Sequence, residues 1–201
     1  MAMILASQSP RRRELLGQMG FSFTVRPARG EELPHPELTP AQLVEELARQ
    51  KALEVSAGAD ADDVVVAADT VVAVDGTVLG KPRDRAHAAE MLSALSGREH
   101  TVYTGVAVKR GKTLLVEHEA TLVRFRPLTQ REIDLYIQTG EPMDKAGSYG
   151  IQGYGALLVE GIRGDYFNVV GLPICRLGRM LAQVGEDALA QCAQKCAEKE
   201  R

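Results

Sequence analysis

The stretch Val64-Val65-Val66-Ala67-Ala68-Asp69-Thr70-Val71-Val72-Ala73-Val74-Asp75-Gly76 decides the fold. Its first five residues form an apolar run dense in β-branched side chains, which reads as a central strand. Val71 to Val74 continues extended, and Asp75-Gly76 is a strong hairpin turn signal. Asp69 interrupts the run where its period and composition predict continued burial. A carboxylate at the end of a buried strand binds a metal, pairs with a cation or acts as a base. The simpler reading is an Asx turn or cap that ends the strand.

Outward from this run, apolar stretches alternate with helical patterns, which favours an α/β architecture. Toward the N-terminus, Met3-Ile4-Leu5-Ala6 is a short buried strand, and Ser9-Pro10 caps a helix from Arg11 to Met19. Phe21 to Val25 reads as a second strand. The stretch from Pro27 to Pro40 carries four prolines and several acids and reads as a loop. Thr39 with Gln42 is a capping box opening a helix to about Val55. Beyond the hairpin, Asp84 caps a helix from Arg85 to Leu95, and strands Val102 to Lys109 and Thr113 to Phe125 join around Arg110-Gly111. Thr129 with Glu132 is a second capping box, opening a helix that ends near Gly140. The glycine-rich tract from Gly147 to Gly164 contains a strand at Ala156 to Val159. Asp165-Tyr166-Phe167-Asn168 reads as a loop with core and turn roles. A last helix begins near Pro173 and breaks at Gly185. One compact domain over residues 1–184, with a polar helical tail over 185–201, is the expected organisation.

The 201 residues are 45% hydrophobic and 25% charged, enough for a full core, with a formal net charge of -3. That slightly acidic balance argues against a nucleic-acid binder. No apolar run reaches the roughly 18 residues of a membrane span, and the N-terminus lacks the basic region of a signal peptide. Three cysteines clustered late do not make a disulfide framework. A cytoplasmic protein is expected.

Two further stretches break local rules. Arg11, Arg12 and Arg13 follow Ser9-Pro10 in the first turn of a helix, where the peptide dipoles disfavour cations. Backbone amides and guanidinium forks there would make a phosphate site; the plainer reading is a solvated basic patch in which one arginine matters. Four glycines fall within the nine residues Gly147 to Gly155 and imply unusual backbone angles or close approach of a ligand. Among them, the amide of Gln152 is suited to reading a base edge or a carbonyl, or else it is a solvated turn residue. Lys81, between Gly80 and Pro82, stands on a rigid turn that could aim an ammonium into a cleft, and the chain lacks a P-loop string. The four histidines have no metal-ligand spacing, and no serine-hydrolase elbow is present.

Ala6-Ser7-Gln8-Ser9-Pro10-Arg11-Arg12, Ala68-Asp69-Thr70, Gly80-Lys81-Pro82, Leu95-Ser96-Gly97-Arg98 and Asp144-Lys145-Ala146-Gly147 stand in the order seen in Maf-family nucleoside triphosphate pyrophosphatases. The chain resembles that family from about Met3 to Leu181. Gly150-Ile151-Gln152-Gly153 resembles its branch that hydrolyses dTTP and UTP. The resemblance implies a mixed twisted sheet with flanking helices, two lobes around a deep cleft, and an architecture related to inosine-triphosphate pyrophosphatases. It implies cleavage between the α and β phosphates, giving a nucleoside monophosphate and pyrophosphate. Asp69 falls on the family's proton acceptor. Ser7, Arg12, Glu32, Lys51 and Lys81 fall on its other polar cleft positions, and Arg11, Thr70 and Gln152 on positions linked to base selection. Glu31 adjoins Glu32, and a shift of one would exchange them.

On this resemblance Arg11, Arg12, Lys51 and Lys81 supply the positive wall for a triphosphate. Glu32 and Asp69 hold a hard divalent cation, Mg²⁺ or Mn²⁺, through oxygen. The family also makes a homodimer an expectation. The competing function is a non-catalytic nucleotide-binding regulator of cell division and septum formation; an intact Asp69, Glu32, Lys51 and Lys81 argue against it. A nucleic-acid module using the arginines would need interleaved aromatics, and these are only 4% of the chain, with no tryptophan.

Overall fold

The computed structural model describes residues 2–30 and 35–199, apart from the side chains of Lys195, Glu198 and Lys199. The quoted run forms one continuous strand, β3 (Val64–Val74), rather than a strand that ends at Asp69. Asp69 and Thr70 therefore sit mid-strand, each half-buried, between two fully buried stretches.

Among the described residues one sheet holds seven strands. β1 (Met3–Leu5) lies between β2 (Thr24–Val25) and β3, parallel to both. β3 pairs antiparallel with β5 (Glu99–Arg110), β5 with β6 (Thr113–Phe125), and β6 with β7 (Val159–Arg163). The Asp75-Gly76 turn returns β4 (Thr77–Leu79) against the end of β3. β1 pairs with Val64 to Val66 and β4 with Val72 to Val74 on the same edge of β3. Between them, at Ala67 to Val71, no described strand covers that edge. This gap is where the fold opens.

Helices cover both faces. α1 (Pro10–Gln18) and α6 (Ile174–Gln183) bury Leu15, Leu16, Leu177, Met180 and Leu181 against Val64, Val66, Ala68, Val106 and Val108. On the opposite face, α2 (Pro40–Ser56) buries Ala48, Ala52 and Val55 against Ile4, Val65, Ala67 and Ala107. Further along the same strands, α3 (Arg85–Leu95) and α4 (Gln130–Gln138) close a separate core with Val72, Val74, Val102, Val123 and Phe125. The first two clusters, on opposite faces of one end of the sheet, make one lobe and the third makes the other, with the uncovered edge of β3 between them.

The caps read from sequence are present: Ser9, Thr39, Asp84 and Thr129 accept backbone N–H bonds at four helix starts. Three expectations shift. The second strand contracts to Thr24–Val25. The strand expected at Ala156 to Val159 lies at Val159–Arg163, because Gly153–Leu157 winds into a 3₁₀ turn instead. Asp165 to Asn168 is not a loop: Asp165 caps a short helix, α5 (Tyr166–Val170), by accepting from the Phe167 amide. The break expected at Gly185 is present and divides α6 from α7 (Ala188–Lys199).

Candidate active site

The uncovered edge of β3 forms the floor of a cleft of about 810 Å³. Alternation along the strand sends Asp69 and Thr70 to opposite faces of the sheet, yet both reach the cleft because no strand covers that edge.

Asp69 pairs in register with Gly105 of β5, so both face α2. Helix α2 comes down directly on Gly105, where a Cβ would collide with the Val44 carbonyl. Lys51 lies two helical turns beyond Val44 on the same side of α2. Its ammonium pairs with Oδ1 of Asp69, both side chains being largely buried. The glycine thus sets the height of the helix that delivers the lysine.

Thr70 pairs with Thr104 on the other face, their hydroxyls 2.9 Å apart. Thr104 donates to the Asn168 carbonyl at 2.9 Å, so it accepts from Thr70, which in turn accepts from Arg12 Nη2 at 2.9 Å. Asn168 Nδ2 donates to the Val102 carbonyl and to Thr121, and Thr121 donates to the Asp165 carbonyl. Thr104, Thr121 and Asn168 are fully buried. Arg12 also donates from Nε to the Gly171 carbonyl at 2.7 Å and from Nη1 to Ser7 Oγ at 3.2 Å. Ser7 additionally accepts from the Ser9 amide. The start of α1 thus presents amides beside a guanidinium whose plane is fixed on three sides.

Arg11 reaches across the cleft to Asp144 at 3.2 Å, and Lys145 holds the other oxygen of that carboxylate at 2.7 Å. Burial works to raise the Asp144 carboxyl, but the Lys145 and Arg11 cations hold it below its ordinary value. Lys81 is exposed at the rim, on a turn tied to the glycine-rich loop by the Gly147 amide donating to the Gly80 carbonyl. Gln152 lines the far wall.

The structure therefore gathers Ser7, Arg11, Arg12, Lys51, Asp69, Thr70, Lys81 and Gln152 around one cavity. Of the three consecutive arginines, Arg13 is exposed and outside the cavity lining. Glu31 and Glu32 lie outside the described residues. Sequence reasoning gave no site role to Thr104 or Asn168, and none to Lys145 as a cleft cation. Only Lys145 carried a signal, as the neighbour of an acid ahead of the glycine-rich tract.

Residues 2–184 match the family model described as Maf-like protein. The chain belongs to the Maf family. Three curated Maf relatives are each named dTTP/UTP pyrophosphatase. That of Moorella thermoacetica is 56% identical over 188 residues, covering 92% of this chain and 96% of the relative. That of Symbiobacterium thermophilum is 56% identical, covering 91% and 94%. That of Bacillus pumilus is 52% identical, covering 91% and 96%.

A divalent cation has a partial donor set here. No three His, Cys, Asp or Glu side chains gather among the described residues, so they form no closed metal cage. Mg²⁺ keeps several waters and binds through one or two carboxylates plus substrate phosphates. The oxygen donor that Asp69 brings to the cleft fits that mode.

Proposed function

We propose that this Maf chain is a nucleoside triphosphate pyrophosphatase that hydrolyses dTTP and UTP to the monophosphate and pyrophosphate. The observation that carries the reading is the meeting of Asp69 and Arg12 at the uncovered edge of β3, with Gln152 on the facing wall. In this reading the catalytic unit spans residues 1–184, with 185–201 appended, and works in the cytoplasm. No helix among the described residues is long and apolar enough to cross a membrane.

The triphosphate lies with its phosphates against the start of α1, Arg11, Arg12 and Lys81. Asp69, oriented by Lys51, accepts a proton from a water that attacks the α-phosphorus in line. The bond from the α-phosphorus to the bridging oxygen breaks, and pyrophosphate leaves with its charge held by the cations of the cleft. Thr70 fixes Arg12 from below, while Gln152 reads the pyrimidine carbonyl. When bound, a divalent cation held by Asp69 and, as the resemblance implies, Glu32 would neutralise phosphate charge and polarise the α-phosphate.

The test is pyrophosphate release with Mg²⁺ or Mn²⁺ across standard and methylated nucleoside triphosphates, with Asp69→Asn as control. Preferential turnover of dTTP and UTP, lost in the control, is the expected outcome. Binding without turnover of any triphosphate would transfer the chain to the regulator class.

A further inference from the structure

Gln152 stands in a loop fixed after it by the Glu141 carboxylate and before it by the Tyr136 hydroxyl that this carboxylate holds. Glu141 opens the 3₁₀ turn Glu141–Asp144. Its Oε1 accepts from Tyr136 Oη at 2.8 Å and from the Gly155 amide at 2.9 Å, and its Oε2 accepts from the Tyr154 amide at 2.9 Å. Tyr136 Oη, having donated to Glu141, accepts from the Gly150 amide at 3.2 Å. One amide before Gln152 and two after it are thereby drawn to a single pair of side chains. Gly153, at φ +64°, lets the chain pass this close, since a Cβ there would lie 2.5 Å from Glu141 Oε2. The Glu141 carbonyl also accepts from Lys145 Nζ at 2.6 Å, and Lys145 leads through Asp144 to Arg11.

Three charge-assisted bonds onto one carboxylate make a stiffer support than glycine-rich backbone gives by itself. We propose that Glu141, acting with Tyr136, is the positioning residue for base selection: it holds the loop so that the Gln152 amide meets the pyrimidine at a fixed place. This rests on the pyrophosphatase reading and deepens it. A purely structural role would lower folded yield or turnover equally for every triphosphate.

The experiment measures kcat and KM for dTTP, UTP and CTP in the wild type, Glu141→Gln, Tyr136→Phe, Gln152→Ala and the double variant Glu141→Gln with Gln152→Ala. Glu141→Gln puts an NH₂ against backbone N–H groups. It should raise KM for dTTP and UTP about tenfold and cut their preference over CTP, with kcat within about threefold of wild type. Tyr136→Phe should shift selectivity the same way by less, and it keeps the question open to test should the Glu141 variant fold poorly. In the double variant, base preference should be no lower than in Gln152→Ala alone, because the support matters only while the amide is present. Unchanged dTTP-to-CTP preference in both single variants, beside an active wild type, overturns the inference and leaves the reaction standing. An inactive wild type would overturn both.

Discussion

Along the β3 wall of the cleft Asp69 and Thr70 stand on a strand, Lys51 on α2 and Arg12 in the first turn of α1, with Ser7 on the short link between β1 and α1. Behind them runs the buried chain Thr104, Asn168, Thr121. The facing wall has almost no regular structure. It is three 3₁₀ turns and a glycine-rich loop, tied down by Glu141 and Tyr136 and backed by Tyr149. Strands and helices hold geometry to fractions of an ångström, which bond-breaking demands; loops vary without disturbing a core. Under the proposed function the difference would set bond-breaking on the first wall and, through Gln152, the reading of the base on the second. In that reading Thr70, which the resemblance links to base selection, serves as an anchor for Arg12. Substitutions on the first should act on turnover of all triphosphates alike, and substitutions on the second on the ratio between them.

The strongest way to break that division is Asp69→Asn. The amide keeps the shape and loses the proton acceptor, so kcat should fall about 10²–10⁴-fold for every accepted substrate. Triphosphate binding, measured by calorimetry without turnover, should persist. A change of preferred base in this variant would show that the two walls are not separate.

The two walls also differ in how much of them could be read from sequence. Capping boxes at Thr39 and Thr129 and the Asp84 cap are local, with both partners three residues apart, so their helices were legible to within a residue or two. Asp69 was conspicuous because it is a charge inside an apolar run. Its place in mid-strand was not legible, because what lets the strand continue past it is distant: Lys51 from α2, placed by the contact of Val44 with Gly105. The helix at Tyr166–Val170 was missed for the same reason. The buried Asn168 finds acceptors for its side-chain NH₂ on Val102 and Thr121, more than forty positions away. On the loop wall the shifted strand follows from Glu141, whose bonds to Tyr154 and Gly155 fix the 3₁₀ turn ahead of Val159. No periodicity announces a carboxylate that works through backbone amides.

Acid sharpens the comparison by loading one wall. His100 on β5 shares a 2.7 Å hydrogen bond from Nε2 with Tyr149 Oη, and packs edge-on to Phe125 and Tyr149. Its Nδ1 is buried without a hydrogen-bond partner. Burial pushes the imidazole down from 6.5 to about 4. The unfolded chain therefore binds the extra proton first. Stability is complete above the unfolded value, falls as pH drops from about 6.5 toward 4, and loses about 3 kcal/mol to this group. Urea unfolding between pH 7.5 and 4 should show a shallower acid loss in His100→Gln than in the wild type. Equal slopes would mean that the imidazole carries no such cost.

The smallest expected effect tests the wall that looks most rigid. Thr104→Val keeps the shape of a fully buried side chain but removes the hydroxyl between Thr70 and the Asn168 carbonyl. Thr70 then has no acceptor there for its proton, and the carbonyl keeps only the Gly171 amide as donor. The cost should be about 1–2 kcal/mol of stability, read from denaturant unfolding. Thr70 also holds Nη2 of Arg12, so the loosening should pass to the guanidinium and raise KM about threefold for dTTP, UTP and CTP together. Their ratio should stay fixed, because nothing on the Gln152 side has moved. If the ratio shifts instead, the buried network reaches both walls, and base selection is not confined to the loop.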